Sequence, residues 1–256
     1  MSGTFPETAI ILGATGGIGS RLAQRLAAGG TRLALAATDA DRLRAFSSEL
    51  NTPNEGEHTT DALDATDPAQ VEAWIERTNK AFGPIHAIAN CVGSIVLKPA
   101  HLTTDEEFER TLRLNLWTSI GVVRGAAKAM RQTGGSVVLF STAAANAGIA
   151  NHEAIAAAKG AVQALALSAA ATYAPQNVRF NTIAPGLVNT PGAKAITGNE
   201  MAKKASEAMH ALGRLGEPDE VASLAAWLMS SDAAWVTGQN FGIDGGLSRI
   251  KMRVKM

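Results

Sequence analysis

The run Gly13-Ala14-Thr15-Gly16-Gly17-Ile18-Gly19 follows directly on the apolar stretch Thr8–Leu12 and leads into an amphipathic helix beginning near Ser20. Strand, glycine turn and helix in that order can hold a pyrophosphate. Residues without a β-carbon let backbone N–H groups approach the anion, and the positive end of the helix dipole faces it. Farther along, His152 and Lys159 stand seven residues apart in an Ala-rich helical stretch. At about 100° per residue they fall on nearly one helix face. Imidazole changes charge near neutrality and can pass a proton. A structural role competes with that one, because Asn151 or His152 at the head of the helix would serve as its cap, with Glu153 favoured there by the dipole. His58, His86, His101 and His210 fall in scattered contexts without metal-ligand spacing, so no metal site is expected.

These groups need a scaffold, and the hydropathy pattern supplies one. Six apolar runs, Thr8–Leu12, Leu33–Ala37, Ile85–Ala89, Val137–Phe140, Val178–Ile183 and Gln239–Ile243, alternate with longer helical stretches. Near-continuous apolar strands joined by helices predict a doubly wound parallel sheet covered on both faces, an α/β Rossmann fold forming one domain over residues 1–256. Between Asn189 and Gly213, Thr190, Pro191, Gly192 and Gly198 interrupt polar helical sequence just past a strand end, which predicts a substrate lid over 189–213. Lys+Arg and Asp+Glu balance at 23 each, leaving no basic footprint for nucleic acid and favouring small neutral or anionic ligands. The single cysteine, Cys91, rules out an internal disulfide framework. The apolar stretches read as too short or too rich in Gly and Ala to span a bilayer, and Met1–Pro6 does not read as a signal peptide. A cytoplasmic protein without membrane association is expected.

The glycine spacing is G-x-x-x-G-x-G, and further landmarks follow in order. They are Asp64 in Leu63-Asp64-Ala65, Asn90-Cys91-Val92-Gly93, Asn115 within a long helix, Pro185-Gly186, Gly213-Arg214-Leu215-Gly216-Glu217-Pro218, Val236-Thr237-Gly238-Gln239 and Asp244-Gly245-Gly246. In this the chain resembles the short-chain dehydrogenase/reductase family, in its 3-oxoacyl-ACP-reductase-like form, over nearly its whole length. Leu12 stands where the family usually has threonine. The resemblance implies NADP(H) or NAD(H) as cofactor and a small carbonyl or alcohol substrate. It implies that Gly13, Thr15, Gly17, Ile18 and Gly19 wrap the pyrophosphate, that Asp64 and Ala65 meet the adenine, and that Asn90 and Gly93 border the adenosine ribose. Pro185, Gly186, Val188 and Thr190 would flank the nicotinamide. The end of the second strand decides between the two cofactors, and there Ala37 and Thr38 offer neither the acid that suits NAD nor the arginine that suits NADP. Asp39 and Arg42 leave both open.

In the family, tyrosine and lysine four residues apart on one helix, with a serine and an asparagine, reduce carbonyls or oxidise alcohols. Here Asn115 and Lys159 are the implied asparagine and lysine, Thr142, preceded by Ser141, takes the serine's place, and Ile155 takes the tyrosine's. Threonine keeps a hydroxyl that polarises a carbonyl, whereas isoleucine has no proton to exchange. The one tyrosine, Tyr173, lies fourteen residues past Lys159, roughly 21 Å along a continuous helix, and cannot substitute. His152, Lys159 itself, or a water held by Asn115 and Thr142 remain as proton donors. The alternative is an inactive dinucleotide-binding relative that acts as a sensor, scaffold or partner subunit. Ile95, Val96, Leu97, Ile149 and the segment Gly192–Met209 suggest an apolar substrate pocket. The family implies a homo-oligomer, a tetramer, consistent with Ala-rich helix faces around Asn115 and after Lys159; the alternating tail Ile250–Met256 is a further candidate contact.

Overall fold

Every residue of β1 (Thr8–Leu12) is buried, because the strand has a core on each side. Ala9 and Ile11 enter one cluster and Ile10 and Leu12 the other. Such two-sided burial is the mark of a central parallel strand. The computed structural model, which describes residues 4–51 and 58–251, extends this into a seven-stranded sheet. Its other strands are β2 (Arg32–Ala37), β3 (Thr59–Ala62), β4 (Ala87–Asn90), β5 (Gly135–Phe140), β6 (Val178–Pro185) and β7 (Asn240–Ile243). They lie in the order β3-β2-β1-β4-β5-β6-β7, all parallel.

Helices α1 (Gly17–Ala28) and α9 (Pro218–Met229) cover one face through Leu22, Leu26, Val221 and Leu228. Helices α3 (Pro68–Phe82), α5 (Thr118–Ala129) and α6 (Glu153–Tyr173) cover the other through Trp74, Ile75, Val122 and Val162. Helix α2 (Ala40–Ser48) follows β2 and buries Leu43. The expected doubly wound Rossmann architecture is present. Chain order reverses between β1 and β4, and at such a point the carboxyl ends of neighbouring strands open a crevice for ligands.

Two expectations need correction. First, β3 did not stand out among the apolar runs. Its sequence, Thr-Thr-Asp-Ala, is half exposed and pairs only with β2, so an edge position leaves it no apolar signature. Second, residues Glu153–Gln176 are long and apolar enough to cross a membrane by length and composition, contrary to the sequence reading. In the fold Ala154, Ile155, Ala158, Lys159, Val162, Ala166, Ala169 and Ala170 of this stretch are buried. The segment 189–213 carries a short turn of 3₁₀ helix at Pro191–Ala193, then α7 (Lys194–Thr197) and α8 (Glu200–Met209). Residues 252–256 of the proposed contact tail lie outside the described residues.

Candidate active site

The glycine turn fits against the loop that leaves β4. Gly13 has φ +74°, and a β-carbon there would lie 3.0 Å from the Cys91 carbonyl carbon and the Val92 nitrogen. A β-carbon on Gly19 would collide with the Gly13 carbonyl oxygen. On Gly17 it would lie 2.7 Å from the Thr190 Cγ2 atom, so the segment after β6 roofs the turn. These close approaches explain why the turn requires small residues. They leave the amides at the N-terminus of α1 facing the crevice, the donor set a pyrophosphate needs.

Lys159 is the charged centre. It sits on the buried side of α6, and its Nζ donates to the Phe140 carbonyl at the end of β5 (2.8 Å). Burial pushes its ammonium down to about 8. Gly93 provides the space it occupies, since a β-carbon there would stand 3.2 Å from Lys159 Nζ and 3.0 Å from Asn115 Oδ1. The lysine and the asparagine therefore both approach Gly93. Asn115 is fully buried within a π-helical segment, Arg113–Trp117, that joins α4 (Asp105–Leu112) to α5. Its Nδ2 donates to Ser94 Oγ (3.0 Å) and the Thr111 carbonyl (2.9 Å), and its Oδ1 accepts from the Ser94 amide (3.2 Å). Insertions of this kind in α-helices recur at functional positions.

A cavity of about 360 Å³ opens beside this pair. Its lining includes Gly17, Ile18, Gly93, Pro185, Gly186, Val188 and Thr190 together with Thr142, His152, Ile155 and Lys159. Ile95, Leu97, Ile149, Ile196 and Met209 give apolar walls, the last two from the segment 189–213. Thr142 caps a short 3₁₀ turn, its hydroxyl accepting from the Ala144 amide (3.3 Å). Ser141 also lines the cavity, its hydroxyl donating to the Lys159 carbonyl (3.0 Å) and accepting from Gln163 Nε2 (2.7 Å). His152 occupies the N-cap position of α6 without a side-chain capping bond. Its Nδ1 bonds the Ala150 carbonyl (2.8 Å). Cys91 also lines the cavity, with burial pushing its thiol up to about 12.

The remaining implied cofactor residues surround the crevice without joining this cavity. Thr38, at the end of β2, is exposed, and so is Asp64, whose carboxylate accepts from the Thr66 amide (3.0 Å) and hydroxyl (2.7 Å). Hydrogen bonding from Thr66 holds the Asp64 carboxyl below its usual range. Ala65 is buried beside it. Asn90 turns its amide inward, Nδ2 donating to Thr118 Oγ1 (3.0 Å) and Ser119 Oγ (3.1 Å), so the side chain staples β4 to α5. Thr15 offers its carbonyl to Arg42 Nη2 (2.9 Å).

The match to known proteins spans this whole frame. The family model described as enoyl-(acyl carrier protein) reductase matches residues 13–248. The chain belongs to the short-chain dehydrogenase/reductase family. Levodione reductase of Leifsonia aquatica is 34% identical, the alignment covering 93% of each chain. D-threitol dehydrogenase of Mycolicibacterium smegmatis is 32% identical over 94% of this chain and 92% of its own. Among solved structures, a short-chain type dehydrogenase/reductase from Mycobacterium ulcerans superposes with a TM-score of 0.88 at 30% identity, covering 94% of this chain and 90% of that one. The relatives are named dehydrogenases and reductases, and the oxidoreductase reading of this short-chain dehydrogenase/reductase agrees with them.

Two features of the site had no signal in the sequence. His210, at the end of α8, is buried in the cavity wall, its Nδ1 bonded to the Ser206 carbonyl (2.7 Å) and its Nε2 accepting from the Leu187 amide (3.1 Å). It ties the end of α8 to Leu187, just past β6. Ser94 joins the site through Asn115, a contact that depends on the π-helical insertion.

Proposed function

We propose that the chain is an NADP(H)-dependent oxidoreductase for a small, largely apolar carbonyl or alcohol, with Ile155 in place of the family's tyrosine and His152 as the proton carrier. The reading rests most on the glycine turn, Lys159, Thr142 and His152 all lining one cavity. The tight glycine packing and the paired Lys159 and Asn115 fit a dinucleotide, with Lys159 meeting the nicotinamide ribose. When bound, that cofactor supplies or accepts the hydride.

The protein's own residues divide the remaining work. The Thr142 hydroxyl donates to the substrate oxygen and orients it. With Nδ1–H held by the Ala150 carbonyl, the imidazolium of His152 has its Nε2–H to give to that oxygen, and the neutral ring has an Nε2 lone pair to recover a proton. Asn115 holds the Ser94 loop beside Gly93, next to which Lys159 Nζ lies. The lid, residues 189–213, closes the apolar side and excludes water.

The adenosine end supports NADP(H) over NAD(H). Asp39 is engaged as the N-cap of α2, accepting from the Arg42 amide (3.0 Å), while the Arg42 guanidinium reaches the Thr15 carbonyl beside the glycine turn. A cation at that position suits a 2′-phosphate. Exposed Trp117, Leu167 and Trp235 supply apolar surface for a homotetramer. A single cysteine accords with a cytoplasmic enzyme.

His152→Ala tests the proton assignment. A positioned general acid contributes about 10²–10⁴-fold, so the variant should lose at least a hundredfold in kcat for ketone reduction with unchanged NADPH affinity. Unchanged kcat would remove His152 from the mechanism.

A further inference from the structure

Lys159 has an unusual setting for a lysine in a ligand cavity. Among the described residues it has no carboxylate partner, and its hydrogen bond runs to a neutral carbonyl, that of Phe140. One turn earlier on the same helix, the aliphatic Ile155 lines the same cavity. A neutral amine bonded to Phe140 through one N–H keeps its lone pair for an electrophile. The apolar walls at Ile149, Ile155 and Leu187 would concentrate a small carbonyl compound against it.

We infer that in the dinucleotide-free protein Lys159 is a nucleophile that captures an aldehyde or ketone from the cavity as a covalent imine. The amine lone pair forms a C–N bond to the carbonyl carbon while the C–O π pair moves to oxygen and takes up a proton. Loss of that oxygen as water then leaves a protonated imine. The balance is R₂C=O plus Lys–NH₃⁺ giving R₂C=NH⁺–Lys plus H₂O, which needs no oxidant or reductant and reverses by hydrolysis. Burial supports the step, because an ammonium held at about 8 leaves roughly one lysine in ten neutral at pH 7, against about one in 2,500 for an ordinary lysine.

The capture uses the lysine that the proposed function assigns to the ribose, so the two states exclude each other. Carbonyl compound arriving before dinucleotide would be held covalently off the catalytic path and would compete with dinucleotide, so only the order with dinucleotide first is productive.

The full-length protein, freed of nucleotide, is incubated at pH 7 with benzaldehyde and sodium cyanoborohydride, and the benzyl increment is located by peptide mass mapping. Lys159 should be labelled at least tenfold faster than the exposed Lys80 and Lys204, a comparison internal to the wild-type protein that needs no variant. Label on Lys80 and Lys204 with none on Lys159 would overturn the inference. Lys159→Arg, checked for an unchanged melting profile, should remove the fast increment. Saturating NADP⁺ should slow the labelling of Lys159 tenfold or more. Fast labelling indifferent to NADP⁺ would leave the capture standing and count against the dinucleotide reading instead.

Discussion

Lys159 is where burial and charge conflict most directly, and the conflict has a sign. Its folded value of about 8 lies below the ordinary 10.5, with burial as the first cause, so between those limits the unfolded chain binds more protons than the folded one. Stability must therefore rise with pH across that window. The cost of burying the ammonium is present in full below about pH 8 and disappears as pH approaches 10.5, an effect on the order of 3 kcal/mol. Urea unfolding of the dinucleotide-free protein at several pH values should show this rise, and Lys159→Met should flatten it. An equal rise in the variant would place the effect elsewhere. The lysine itself was legible in the sequence through its distance from His152 and its place in the family pattern. His210 was not, because its two bonds run to the Ser206 carbonyl and the Leu187 amide, partners that only the tertiary fold brings together.

At the scale of elements, the glycine turn was legible because its requirements are local: a strand, residues without β-carbons and a helix, contiguous in the chain. The π-helical segment Arg113–Trp117 was not, since nothing in its composition distinguishes it from the α-helices it joins. Edge strand β3 escaped for the opposite reason, as its polar sequence conceals a role fixed by pairing with β2. On the proposed reading, helix α2 carries the preference for NADP(H). The sequence leaves Asp39 and Arg42 open to either nucleotide; in the fold the acid accepts from the Arg42 amide at the N-cap and the guanidinium reaches the Thr15 carbonyl, and the proposal rests on that difference. Arg42→Ala should therefore weaken NADPH binding tenfold or more and NADH binding little, since a charge-assisted contact to phosphate is lost only in the first case. Fluorescence titration with both nucleotides checks this, and equal weakening of the two would contradict it.

At the scale of the molecule, alternating strands and helices made the doubly wound sheet predictable, and the reversal of strand order places the crevice beside the glycine turn. Hydropathy alone misleads about α6, whose apolar length serves a core on one side and leaves Leu167 exposed on the other. A face of that kind is buried economically by a second copy of the chain. Light scattering should give the mass of a tetramer, and a monomer at all concentrations would contradict that assembly. The central claim, hydride chemistry at a site without the family's phenol, is tested most directly by NADPH consumption over a panel of apolar ketones, aldehydes and enones, comparing wild type with Ile155→Tyr. The account predicts measurable turnover by the wild type on at least one of these substrates. NADPH that binds saturably yet is consumed by neither protein on any substrate would contradict it and leave a dinucleotide-binding protein without catalysis.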